Sequence, residues 1–542
     1  MGGAFALLAV APALSDWSGS VVGVLCSDAP DALWRLWSNS QSVAPVGFPA
    51  SSPEPVSGAP IMALGFQLLT WILGSAIAAW NTLIVCGFTI SIAGTIALGK
   101  RIAPDAPLLA YITFVIAVVG ATAWSPLVRH VGVGMIPMMC VPGVLALLHA
   151  WLDPHAPRWT GGGTLLLFLI AVLGHWTATV FVIAMIIPMV IVLTRHWEGR
   201  YARHKVVITI GPGVLCGAVY VYNSWVSVPG IDVAAALLAP AWIHQAKGAL
   251  VLPATAAVAL PSLGILILAL AGVAARPRDT AGWLLSATWG VLLAAGASPL
   301  SAKAILPAQH MAESMPGLAA IGSWWAIAPL VSIPFGIAAM RGVQALHKVQ
   351  RDPVTMGILM LAIVDQTLPS MVEPGPQRIT PSLSDSTVTA LSNLPPGAVL
   401  QLPTAEGECG RTALHRLWQP LHERPISTGA PGGLDGGIRV SHIARLVSWN
   451  TPYATRPASK DSPLTPDEYL CAISDLSTLE ELGFAAIMLN NQTGQHERSG
   501  DVLRQILGPP ISSDQGVHLW AIEDATQVNV PEPCPLPMRS PR

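Results

Sequence analysis

Long apolar runs, broken by short polar turns, fill the first two thirds of the chain. Typical are GGGTLLLFLIAVLGHW (161–176) and WTATVFVIAMIIPMVIVL (176–193). In lipid every backbone amide needs a partner within its own segment, so apolar runs of about 20 residues predict membrane-spanning helices. The pattern places spans near 2–26, 80–99, 106–124, 132–152, 162–175, 176–194, 206–225, 250–274, 280–297, 316–340 and 354–371, with a turn near Gly174 dividing one continuous run. The run 60–79 is also apolar and is expected to lie at the membrane interface. Beyond residue 371 the pattern changes to shorter elements. VLQLP (399–403), FAAIMLN (484–490) and GVHLWAIE (516–523) read as strands, and PDEYLCAISDLSTLEELG (466–483) and DVLRQILG (501–508) as helices. Strands mixed with helices predict a small α/β domain. The expected fold class is therefore a mainly α polytopic bundle of about 11–12 spans over 1–371, followed by an α/β domain over 372–542.

Charge sharpens this division. Residues 1–371 hold 12 acidic and 16 basic residues, whereas the much shorter 372–542 holds 18 and 12. The whole chain is 52 % hydrophobic and 11 % charged, against roughly 25 % charged in a soluble protein. A net charge of −2 gives no electrostatic footprint for nucleic acid.

Basic residues also orient the bundle. Lys100, Arg101, Arg158, Arg195, Arg200, Arg203, Lys205, Arg276, Arg278, Arg341, Lys348 and Arg351 fall in alternate turns and so on one side; only Arg35, Arg129, Lys247 and Lys303 fall in the opposite short loops. An excess of Lys and Arg marks the cytoplasmic side. Loop 28–59 and the C-terminal domain are then expected outside the cytoplasm, provided 60–79 does not cross. No Lys or Arg precedes Arg35, so 1–26 lacks the basic start of a cleavable signal peptide and is expected to be a first helix.

Seven cysteines include no CxxC pair, which argues against a zinc or thioredoxin-like site. Cys26, Cys86, Cys140 and Cys216 lie in or beside apolar segments. Cys409, Cys471 and Cys534 fall in the tail, where an oxidising compartment would allow one disulfide among them; the pair stays open. The Gly-rich stretch 427–440 lacks the GxxxxGK[ST] phosphate signature.

The order of segments resembles that of the polytopic GT-C-fold glycosyltransferases, which use polyprenyl-phosphate-linked sugars. DAPDALWRLW (28–37) is similar to their first-loop Asp followed by a Trp-rich helix start. AWNTLIVCGFTISIAGTIALGKR (79–101) is similar to their Asn-led second helix ending in basic residues. WSPLVRHVGVGMIPMMCVPGVLALL (124–148) resembles a segment with a His before the next helix. LSNLPPGAVLQLP (391–403), RLWQPLHERPISTG (416–429), LEELGFAAIMLNN (479–491) and GVHLWAIE (516–523) resemble the outer domain. The resemblance implies transfer of a sugar from a lipid-linked donor to an acceptor at the outer face of the cytoplasmic membrane. Asp28 or Asp31 would be the catalytic carboxylate, with Asp28 ahead; the competing reading is that Asp28 caps a short helix starting near Pro30. Arg129, His130, Lys303, His310 and Glu313 would bind donor phosphate or acceptor. The departing phosphate needs positive charge, from these cations or from a divalent metal such as Mg2+ or Mn2+.

His175, in an apolar stretch, reads as a histidine bonded to a neighbouring helix, and Asp365 as a headgroup-level residue. One departure from the family pattern stands out. Its members usually open the helix after the 298–315 loop with Arg, where this chain has GSWWAIAPL (322–330). That departure favours an alternative, a non-catalytic subunit of the same fold serving a cell-envelope or polysaccharide assembly with partner proteins. A transporter is disfavoured by the lack of an inverted repeat and of intramembrane charge. The sidedness is directly testable. Reporters fused after residue 371 should be active for a periplasmic alkaline phosphatase and silent for a cytoplasmic fluorescent protein; the opposite pattern would invert the topology.

Overall fold

In a computed structural model of the protein the described residues are 14, 16–22, 33–34, 36–37, 60–120, 135–195, 200–226, 261–294, 324–372, 378–379, 383–402, 409–424, 426, 466–481, 483–491 and 497–522. The chain divides into two compact units. One comprises Met1–Ser18, Val22–Val24 and Ser57–Arg378; the other comprises Gly19–Val21, Leu25–Val56 and Ile379–Arg542.

The first unit is helical. Its described helices are α1 (Pro60–Leu73), α2 (Ala76–Ile102), α3 (Leu108–Val115, continued by a π-helical turn Ile116–Gly120), a single turn Met135–Met138, α4 (Val141–Leu152), α5 (Arg158–Leu173), α6 (Trp176–Thr194), α7 (Arg200–Val226), α8 (Leu263–Ala275), α9 (Pro277–Ala294), α10 (Ala328–Lys348) and α11 (Asp352–Val372). By length and composition, Ala76–Ile102, Trp176–Thr194, Tyr201–Asn223 and Ala328–Lys348 can each cross a membrane, and several shorter apolar helices accompany them. The expected run 60–79 is broken. Gly74 adopts φ +67°, a conformation only glycine enters at no cost, and the Ser75 hydroxyl accepts the Ala78 N–H to start α2. The 14 residues of α1 rise only about 21 Å, short of the ~30 Å hydrocarbon core, and Leu64, Leu68, Trp71 and Ile72 stay exposed along it. The dividing turn near Gly174 is present, between α5 and α6.

Helix α10 is the hub, buried continuously from Ala328 to Met340. Small residues let its neighbours approach to backbone contact. A Cβ on Gly342 would collide with the Leu268 carbonyl of α8, and one on Gly272 would collide with the Ala338 carbonyl of α10. Close packing of this kind replaces the hydrophobic drive that lipid cannot supply.

The basic turns are tied together by hydrogen bonds. Arg341 of α10 donates to the Ile102 carbonyl at the end of α2 (2.7 Å). The Lys205 ammonium donates to the carbonyls of Trp151 (2.6 Å) and Asp153 (2.9 Å) at the end of α4, and lies over the Trp151 ring. Arg195 bonds the Arg278 carbonyl and pairs with Asp279 at 3.5 Å. Arg341 and Lys205 thus meet carbonyls at or just beyond a helix C-terminus, where partners are missing and the helix dipole is negative, whereas Arg195 bonds the first turn of α9.

The second unit holds the described four-stranded sheet: β1 (Ala398–Leu402), β2 (Phe484–Asn490), β3 (Ser512–Asp514) and β4 (Val517–Ala521), in the order β1-β2-β4-β3. Strands β1 and β2 are parallel and the remaining pairs antiparallel. All five residues of β1 are buried because both faces are covered. Leu400 and Leu402 face a core with α14 (Pro466–Glu481) and α15 (Glu497–Leu507), whereas Val399 faces Leu391 of α12 (Asp385–Asn393) and Trp418 of α13 (Cys409–His422). Gln515 and Gly516, both at positive φ, make the two-residue turn between β3 and β4. Cys471 is disulfide-bonded, while Cys86, Cys140 and Cys216 are free.

His422, at the end of α13, is buried. Its Nδ1 accepts the Arg424 N–H at 3.1 Å, and its Nε2 has no hydrogen-bond partner among the described residues. Burial, and then the Arg424 charge, push its pKa from an ordinary 6.5 down to about 3. Between those values the unfolded chain binds a proton that the folded chain does not, so stability rises with pH across that window and is lost as pH falls through it. The second unit should lose up to about 1.4 kcal/mol per pH unit from this group as pH drops below 6.5. In denaturant titrations at several pH values, His422→Phe should flatten the dependence; an unchanged slope would show that His422 is not held neutral.

Candidate functional site

Asp28, Asp31, Arg129, His130, Lys303, His310 and Glu313 all lie outside the described residues. What the structure describes is the framework on either side of Asp28 and Asp31 in the sequence. On the N-terminal side, Trp17 and Val22 are held at the start of α2 by Asn81, which is fully buried. The Asn81 Oδ1 accepts the Val22 N–H at 3.0 Å, and its Nδ2 donates to the Trp17 carbonyl at 3.0 Å. The neighbouring Trp80 indole donates to the Val22 carbonyl at 3.1 Å, so both polar groups of Val22 are paired. Ser75 adds a hydroxyl bond to the Ser18 carbonyl, and the Trp17 indole bonds Thr82. Trp80 and Asn81 occupy the first turns of α2, so one helix end fixes the strand that leads towards Asp28.

On the other side, residues 33–34 and 36–37 are helical and belong to the second unit. Leu33, Trp34, Leu36 and Trp37 are all buried. The Trp34 indole donates to the Gln419 Oε1 of α13 at 2.6 Å, and Gln419 is itself buried. Each anchor is a buried polar pair in apolar surroundings, where loss of one partner leaves the other at a cost of about 1–3 kcal/mol.

Other residues singled out by the sequence have structural roles. His175, expected to bond a neighbouring helix, has a local role at the start of its own helix. It is the N-cap of α6, its Nδ1 accepting the Thr177 N–H and meeting the Thr177 hydroxyl at 2.7 Å. A turn between two apolar helices leaves orphan N–H groups at the start of the second, and the imidazole supplies an acceptor. Asp365 accepts the Leu263 N–H at 2.8 Å and so closes the first turn of α8. Trp324–Ile327 form a 3-10 turn leading into α10, and no cation occurs in 324–330. Among the described residues no group of three His, Cys, Asp or Glu could hold a metal. The carboxylates with the right chemistry for Mg2+ or Mn2+, namely Asp28, Asp31 and Glu313, are outside them.

Asn81 and Gln419 are framework residues that pattern reading passed over. The signal for Asn81 was present: a lone amide in an apolar helix demands a buried partner. Gln419 sits in the amphipathic RLWQPLH and carries no comparable signal.

No protein-family model matches the chain, and no curated protein matches it. Solved structures do. The arabinofuranosyltransferase AftD from Mycobacteria, in two cryo-EM classes of a mutant form, superposes with TM-scores of 0.56 and 0.54 at 15 % and 16 % identity. Each alignment covers 96 % of this chain and 41 % of AftD. The chain thus spans about two fifths of that relative's length. ArnT from Cupriavidus metallidurans in the apo state aligns with a TM-score of 0.46 at 13 % identity, over 98 % of this chain and 99 % of ArnT. The likeness to AftD is one of fold: the chain is a GT-C-type polytopic helix bundle carrying a C-terminal α/β unit.

Proposed function

We propose that the protein is an inverting membrane glycosyltransferase that moves a sugar from a polyprenyl-phosphate donor to an acceptor at the outer face of the cytoplasmic membrane. The reading is carried by the two buried anchors, Asn81 and Gln419, that hold the chain on both sides of Asp28 and Asp31. A buried polar pair on each side, each within its own unit, is the kind of support that a positioned catalytic group needs. The fold shared with an arabinofuranosyltransferase supports the same class of reaction, and the donor, acceptor and sidedness are this proposal's own. Sidedness is supported by the twelve basic residues on one side and by the Cys471 disulfide, which suits an oxidising compartment.

In this mechanism Asp28 orients the acceptor hydroxyl and takes its proton as the oxygen attacks the anomeric carbon. The bond from that carbon to the phosphate oxygen breaks, and the polyprenyl phosphate leaves with the electron pair. Arg129, His130 and Lys303 offset the departing charge; His310 and Glu313 hold the sugar or acceptor. A divalent metal would add charge at the phosphate. The alternative, a non-catalytic envelope subunit, is favoured by one observation: the 324–330 segment that opens α10 has no cation.

Three substitutions separate the readings. In membranes supplied with a labelled polyprenyl-phosphate sugar, Asp28→Asn should lower transfer by at least the ~10²-fold usual for losing a general base, with Asp31→Asn milder. Small, equal effects would leave the subunit reading ahead. Asn81→Leu removes both side-chain hydrogen bonds of the N-terminal anchor, to the Val22 N–H and the Trp17 carbonyl, while keeping a good helix former in α2. It should lower turnover by roughly 10- to 10²-fold while donor binding persists; full turnover would mean that the anchor does not position the first loop.

A further inference from the structure

A groove of about 530 Å³ runs between α2, α4 and α5 in the helical unit. Its volume lies within the ~300–1,000 Å³ of ordinary ligand pockets. The lining follows one face of each helix. On α2 this face is Ile90, Ala93, Gly94 and Ala97, ending in Arg101; on α4 it is Gly143, Ala146, Leu147 and Ala150, ending in Asp153. The furrow exists because α2 and α4 cross on glycines, where a Cβ on Gly94 would strike the Gly143 backbone, while the flanking positions carry only methyl groups. Ala93 and Ala97 are exposed, so nothing from the described protein fills the furrow.

The two ends of the groove differ chemically. Most of its length is apolar and lies along helices that face hydrocarbon, so an acyl chain fits it and water does not. At the mouth, on the basic side, stand Arg101 and the two-thirds-exposed Trp159, a headgroup-level aromatic. Arg341 and Lys205 spend their donors on helix carbonyls, whereas Arg101 makes no hydrogen bond or ion pair among the described residues. Asp153 also reaches the mouth, but its carboxylate accepts the His155 N–H at 2.9 Å and the buried Lys205 ammonium sits on its carbonyl. Arg101 and Lys205 thus stand against one carboxylate at this end, and Arg101 keeps its donors unused among the described residues; a planar guanidinium suits phosphate oxygens.

We propose that this groove binds one acyl chain of an anionic phospholipid from the leaflet on the basic side, with its phosphate held by Arg101. Basic pockets between membrane helices on that side are suited to anionic headgroups. The proposal needs no catalytic activity and stands whether or not the chain is an enzyme.

The test is native mass spectrometry of the delipidated full-length protein in detergent, titrated with phosphatidylglycerol or phosphatidylcholine of the same chains. The parent should bind phosphatidylglycerol at least ~10-fold more tightly. Arg101→Gln should bring both lipids to the same affinity, and Arg101→Lys should retain most of the preference. Ala97→Phe, which fills the furrow from an exposed position, should weaken both lipids by ~10-fold or more. Both positions are exposed, so each variant should melt like the parent in lipid-free detergent. Equal binding of the two lipids by the parent overturns the proposal, as does a preference that survives Arg101→Gln or parental binding by Ala97→Phe. Should Arg101→Gln not fold, the parent's lipid preference and Ala97→Phe decide the matter.

Discussion

A helix that ends at the membrane surface leaves four carbonyls without partners, and satisfying them is the constraint that organises this bundle. The chain meets it at two helix ends with cations from other helices. Arg341 serves the end of α2 and Lys205 the end of α4, while Arg195 ties the first turn of α9. The same charges that orient the bundle in sequence therefore hold its turns at a common level in structure. Gly272, Gly342, Gly94 and Gly143 then let the helices between those turns touch through their backbones. Arg101 matters because it sits in this layer and is not consumed by it.

The same rule governs the surroundings of the expected active site. A buried amide must use both of its ends, and Asn81 does so by taking the N–H of Val22 and giving to the carbonyl of Trp17. In the second unit Gln419 uses only its oxygen, which takes the Trp34 indole N–H, and its Nε2 has no hydrogen-bond partner among the described residues. The chain from Val22 to Leu33 thus starts and finishes at fixed points, each fixed within its own unit.

Much of the architecture was legible because lipid and sheet impose simple periods. The strands over 399–403, 484–490 and 516–523 were visible as short apolar runs set off by turn residues, and each is present within two residues. The turn at Gly174 was visible because an apolar run twice the length of a span must fold back. Less legible was the break within 60–79, where one glycine at positive φ and one serine cap outweigh a continuous apolar pattern. The cap formed by His175 was not legible because it depends on where α5 ends. The site residues came from the order of segments and not from any local pattern. Aspartates three apart, such as Asp28 and Asp31, cap helices as readily as they take protons.

The central claim is that the first loop, held at Val22 and Trp34, presents Asp28 to a lipid-linked phosphate. The most direct measurement is a cryo-EM structure of the full chain in a nanodisc containing a polyprenyl phosphate. The account predicts the phosphate in a membrane-level cavity faced by the Asp28 carboxylate, with Lys303 or His130 at the same cavity. A bound phosphate remote from Asp28, or an Asp28 side chain turned to cap its own helix with no such cavity beside it, would contradict it.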